Sequence, residues 1–94
     1  MVVYMVNIML EKNDKKIVIG NLIAASYAFD SVRRRSCISE WGFILSRETL
    51  SNDIIVDAIK YFKKLKKDIV NNNLSYSAYL YIDRVIEIIG KYKV

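Results

Sequence analysis

The stretch from Ser51 to Asn71, SNDIIVDAIKYFKKLKKDIVN, decides how the rest of the chain is read. Ile55, Ile59, Phe62, Leu65 and Ile69 recur at intervals of three and four, the spacing that gathers side chains on one face of an α-helix. Ser51 carries the hydroxyl of a good N-cap, and Asp53 puts negative charge in the first turn, where the helix dipole favours it. The run Asn71-Asn72-Asn73 ends the periodic pattern. A helix of roughly 20 residues is about 30 Å long, enough to cross a small domain.

Downstream, Ser75 is placed to cap a further helix from Tyr76 to about Lys91. Its apolar residues, from Ala78 and Tyr79 through Ile89 to Tyr92, spread over roughly half of the circumference, wider than the ~100° stripe of a simple surface helix. Glu87 and Lys91 are spaced as an i,i+4 pair. Two helices joined by so short a link pack antiparallel. The excess apolar girth predicts self-association through Tyr79, Tyr81, Ile82, Val85, Ile86 and Ile89, most simply as a two-fold homodimer.

Upstream, the continuous β-branched and aromatic run Val2–Leu10 reads as a buried strand. The polar segment Glu11–Lys16 then reads as a turn, and Ile17-Val18-Ile19 as the second arm of a hairpin. Leu22, Ala25, Phe29 and Val32 follow a helical period, with Arg33-Arg34-Arg35 in the last turn of that helix. Trp41, Phe43 and Leu45 alternate, which makes Cys37–Leu45 a candidate third strand despite Gly42. The fold class expected is α+β: an N-terminal β-hairpin, a helix and a C-terminal antiparallel helical hairpin. An all-α bundle is the competing architecture.

Ninety-four residues without a repeat or linker make a single small domain, residues 1–94. At 53% hydrophobic the chain can bury enough apolar surface to fold. No apolar run reaches the ~18 residues of a membrane span, so no membrane partner is expected. The single cysteine, Cys37, cannot form an internal disulfide, which suits a cytoplasmic protein. His, Gln and Pro are absent, whereas Ile, Lys, Asn and Tyr, with A/T-rich codons, abound. That usage points to an A/T-rich genome such as that of a virus, a mobile element or a thermophilic archaeon.

A chain without histidine lacks the commonest general base and metal ligand. Cys37 has no imidazole to activate it, the carboxylates show no metal-ligand spacing, and isolated glycines make no phosphate loop. The protein is therefore read as non-enzymatic, with no catalytic residue, metal or cofactor assigned.

The charge carries more information. Fifteen basic and ten acidic residues leave a net charge of +5. Lys60, Lys63, Lys64 and Lys67 project from the outer side of the long helix, while Lys66 runs along its apolar boundary. Asp57 is spaced to pair with Lys60, and Asp68 with Lys64. With Arg33, Arg34 and Arg35 these lysines form the candidate nucleic-acid-binding set, whose affinity would fall as salt rises. The tyrosines of the last helix could stack bases of a single strand, but suit a core or subunit interface better. The expected function is thus a small homo-oligomeric binding or regulatory protein contacting nucleic acid. The alternative is a protein–protein interaction module, an accessory subunit or an inhibitor encoded by a virus or mobile element, that uses the Ile- and Tyr-rich last helix.

Overall fold

The computed structural model describes residues 7–94. Four helices, α1 (Lys12–Tyr27), α2 (Val32–Leu45), α3 (Asn52–Asn71) and α4 (Tyr76–Gly90), account for 74% of them. Two short strands, β1 (Asn7–Ile8) and β2 (Leu50–Ser51), pair antiparallel with Asn7 opposite Ser51 and Ile8 opposite Leu50. The element mix lies between all-α and α+β, because helices make the body and the strand pair only fastens the segment before α1 to the start of α3.

The expected hairpin is corrected. Residues 2–6 of its first arm lie outside the described residues, and Asn7–Ile8 pairs with Leu50–Ser51 rather than with Ile17–Ile19. The polar segment read as a turn opens α1 instead, and Ile17-Val18-Ile19 lies inside that helix. Val18, Leu22 and Ala25, spaced i, i+4 and i+7, are all buried on one face. Packing of that face outweighs the modest β-preference of three branched residues.

The helix expected to run through Arg35 is broken at Ala28–Ser31. Ser31 accepts a hydrogen bond from the Arg34 N–H at 3.3 Å and starts α2 there, while Phe29 in the link is buried. Arg33-Arg34-Arg35 therefore occupies the first turn of a helix, the end where the dipole disfavours positive charge. The candidate third strand is also corrected. Ile38 and Leu45 are buried on one side of α2 with Trp41 half-buried between them, and Phe43 is 76% exposed. What alternates in the sequence is in fact the i, i+3, i+7 pattern of a helix. Gly42 faces Leu22 of α1 without needing to be glycine, since an added Cβ would meet Leu22 Cδ1 at 3.9 Å, an ordinary contact.

The C-terminal half is as expected. Ser51 Oγ accepts from the Ile54 N–H at 3.2 Å, and Ile55, Ala58, Ile59, Phe62, Leu65 and Ile69 form the buried face of α3. Asn73 takes a left-handed conformation (φ 52°) after the helix. The Leu74 N–H donates to the Ile69 carbonyl at 2.9 Å and the Asn73 N–H to that of Val70 at 3.3 Å, a Schellman stop that reverses the chain. Ser75 stands before α4 as expected, but its hydroxyl makes no capping bond. Lys66 meets Asp83 toward the linked ends of the two helices, and the Val94 N–H meets Asn52 Oδ1 at the other, so α3 and α4 are antiparallel. Helix α1 packs against both α2 and α4 and closes the core around Phe62, Ile82 and Ile89. Among the described residues no helix is long and apolar enough to cross a membrane.

Candidate nucleic-acid interface

The amphipathic pattern of α3 orients the site. With its apolar face turned inward, Lys60, Lys63, Lys64 and Lys67 are exposed on the opposite side. The expected pairs of Asp57 with Lys60 and of Asp68 with Lys64 are absent. Among the described residues none of these four lysines takes part in an ion pair. Asp68 turns instead to Arg34, which donates to its Oδ2 from Nη2 at 2.8 Å and from Nε at 3.0 Å. That contact draws the first turn of α2 against the C-terminal half of α3. One arginine of the first basic cluster is thereby tied to the helix that carries the second.

Within the arginine run the three side chains differ. Arg33 is exposed, Arg34 is held by Asp68, and Arg35 Nε donates to the Phe29 carbonyl within the α1–α2 link. The contacts of Arg34 and Arg35 offset the unfavourable placement of positive charge at a helix N-terminus. Behind them Trp41 of α2 packs on Tyr61 and Phe62 of α3, with centroids 6.0 and 6.1 Å apart. Burial pushes the Tyr61 hydroxyl pKa up to about 12, helped by the neighbouring Cys37.

On the other flank of α3 a groove of about 400 Å³ runs beside α4, lined by Lys63, Lys66, Lys67, Val70, Asn71 and Tyr79. Lys66 crosses it to Asp83 at 2.6 Å, and its ammonium lies 4.8 Å from the centre of the Tyr79 ring. The Asp83 carboxylate holds the Lys66 pKa above its ordinary value. Tyr76 stacks on Tyr79 with ring planes 9° apart and centroids 5.7 Å apart. This groove is not singled out by charge pattern alone. Its sequence signal is the i, i+3 spacing of Tyr76 and Tyr79 on a helix that returns beside a lysine-rich one.

The residues expected to face a second subunit are divided by the fold. Ile82, Val85 and Ile89 are wholly buried within this chain, so the surface they would offer is already covered by its own helices. Tyr79 and Ile86 are half-buried against the same core, and Tyr81 is exposed. The expected Glu87–Lys91 pair is replaced by Arg84–Glu87 at 3.2 Å and Lys91–Asp14 at 3.4 Å. Exposed apolar side chains remain on α4 at Tyr76, Leu80 and Tyr81 and also occur on α1 and α2, where Ile19, Ile23, Gly42 and Phe43 line a groove of about 280 Å³ with no charged side chain in its wall. Among the described residues no cluster of three or more potential metal ligands occurs.

No protein-family model matches the chain, and neither a curated protein nor a solved structure matches it.

Proposed function

We propose that this chain is a small, non-enzymatic, cytoplasmic protein that binds nucleic acid through the outer face of α3 and the first turn of α2. The observation that carries this reading is the Arg34–Asp68 contact, which ties one arginine of the run to the lysine-bearing helix and takes up the carboxylate spaced to pair with Lys64. A rigid helix about 30 Å long with cations spaced along it suits a regularly charged phosphate backbone. Arginine adds bidentate contacts that lysine cannot make. The test is the triple substitution Lys60→Glu, Lys63→Glu and Lys67→Glu. All three side chains are exposed, so the fold should persist by circular dichroism while binding of a labelled oligonucleotide at low salt disappears. Unchanged binding by the folded triple variant would sink the reading.

A second reading, recognition of protein, is favoured by the apolar surface of α1 and α2. Ile23 is 54% exposed and Phe43 76%, with Tyr27 and Val32 also open on these two helices. These four side chains present on the order of 500 Å² of apolar surface, a large part of the ~800 Å² per partner that a standard interface buries. Phe43 projects beside the shallow line of Ser39, Gly42 and Ser46, so one face holds both knob and hole, as a two-fold contact between identical chains requires. The homodimer is therefore proposed through α1 and α2 rather than through α4. Sedimentation at rising concentration would show a dimer that Phe43→Ser converts to monomer, whereas a monomer at every concentration would remove this reading.

A further inference from the structure

We propose that Tyr76, whose ring stacks on the groove-lining Tyr79, seats an unpaired base of a single strand beside the groove between α3 and α4, with the flanking phosphates on Lys63 and Lys67. The inference deepens the nucleic-acid reading and rests on it. Its ground is the conjunction of four features that a merely solvated helix face does not need. The groove has a volume in the range of small-ligand sites, two ammonium groups without acidic partners, an amide at Asn71, and a stack of rings at one side.

The stack is built in order. Asp83 fixes Lys66, Lys66 covers Tyr79, and Tyr79 supports Tyr76 in nearly parallel planes. Tyr76 is 70% exposed, which leaves its ring open to a further flat group. A base stacked there would continue an existing pile rather than disturb one. Val70, 66% exposed on the same flank, adds an apolar edge, and the Asn71 amide can both donate to and accept from a base. Among the described residues no acidic residue lines the groove, and the charge of Asp83, bound to the lining Lys66, is taken up by that lysine. Duplex bases are already stacked and paired, so only a base outside a duplex can offer its face to Tyr76. The class of ligand is therefore single-stranded DNA or RNA.

The experiment compares a labelled, non-self-complementary strand of about 20 nucleotides with the duplex made from it, by fluorescence anisotropy at low salt, using the wild-type chain, Tyr76→Ala and Tyr76→Phe. The strand should bind more tightly than the duplex. Tyr76→Ala should weaken the strand about 5- to 100-fold, the effect of losing one stacked base, and leave the duplex unchanged, while Tyr76→Phe should bind as wild type. Equal binding of the strand by wild type and Tyr76→Ala, with salt-sensitive binding intact, would overturn the groove assignment and spare the broader reading. No binding of either nucleic acid by the wild type would overturn both. Displacement of the strand by submillimolar adenosine monophosphate would assign the groove to a free nucleotide instead.

Discussion

Arg34 and Asp68, thirty-four positions apart, join two helices through a single carboxylate oxygen: both guanidinium contacts go to Oδ2, and Oδ1 accepts from the Asn72 amide at 2.6 Å. The pair thus fixes the α2–α3 junction and also sets a negative charge at the centre of the basic surface. Asp68→Asn keeps an oxygen for one partner and removes that charge. With both side chains about one-third exposed, the pair is worth below about 1 kcal/mol, so the variant should remain folded. Its affinity for nucleic acid should rise several-fold at low salt. A fall in affinity on titration would mean that the acid positions Arg34 more than it repels phosphate.

The lysines of α3 should act additively and without sequence preference. Replacing any one of Lys60, Lys63 or Lys67 with Ala should lower the slope of log affinity against log salt by about 0.7–0.9, the share of one phosphate contact. Binding isotherms at four or five salt concentrations measure this directly. A slope indifferent to all three would assign them to solvation alone.

Ile82 distinguishes a core from an interface. It is wholly buried in the single chain, so Ile82→Ala should cost about 2–5 kcal/mol of folding stability through the cavity it leaves. The loss should not depend on protein concentration. Urea unfolding of both proteins at two concentrations tenfold apart reads this out, and a midpoint that rises with concentration in the wild type but not in the variant would restore α4 to a subunit contact.

Stability should fall at both ends of the pH range. The Tyr92 hydroxyl donates to Asp14 at 2.6 Å and holds that carboxyl below its ordinary value of 3.8. Stability from Asp14 is therefore present above that value and lost as pH falls below it. The same bond raises the Tyr92 pKa, and burial raises that of Tyr61 to about 12. A raised pKa means stability fully present below the ordinary tyrosine value of 10.0 and lost as pH rises through the folded value. Urea midpoints should thus be level through neutral pH and drop above pH 10. Tyr61→Phe should flatten the part of that drop between 10 and about 12, and Tyr92→Phe should soften both limbs.

The C-terminal half was legible because local and global signals agree there. Ile55 to Ile69 repeat with one period, a serine caps the start, and an asparagine in the left-handed region makes the stop. The N-terminal half misleads because α1 and α2 are apolar on more than one side. Ile17-Val18-Ile19 is branched and continuous, and Trp41-Gly42-Phe43-Ile44-Leu45 alternates over a span too short to separate a period of 2 from one of 3.6. Their exposed residues, Ile23 and Phe43 among them, blur the amphipathic stripe that would have identified a helix.

By itself the sequence determined the α3–α4 hairpin, the serine cap of α3 and its asparagine stop, and the identity of the cations that face outward from α3. These follow from contacts within a few residues of chain, where spacing alone settles geometry. Only tertiary structure decided that Lys12–Tyr27 and Val32–Leu45 are helical, that Ile82, Val85 and Ile89 are core, and that Arg34 reaches Asp68. Each depends on which apolar faces meet, and that is set by the mutual burial of four helices rather than by any one of them.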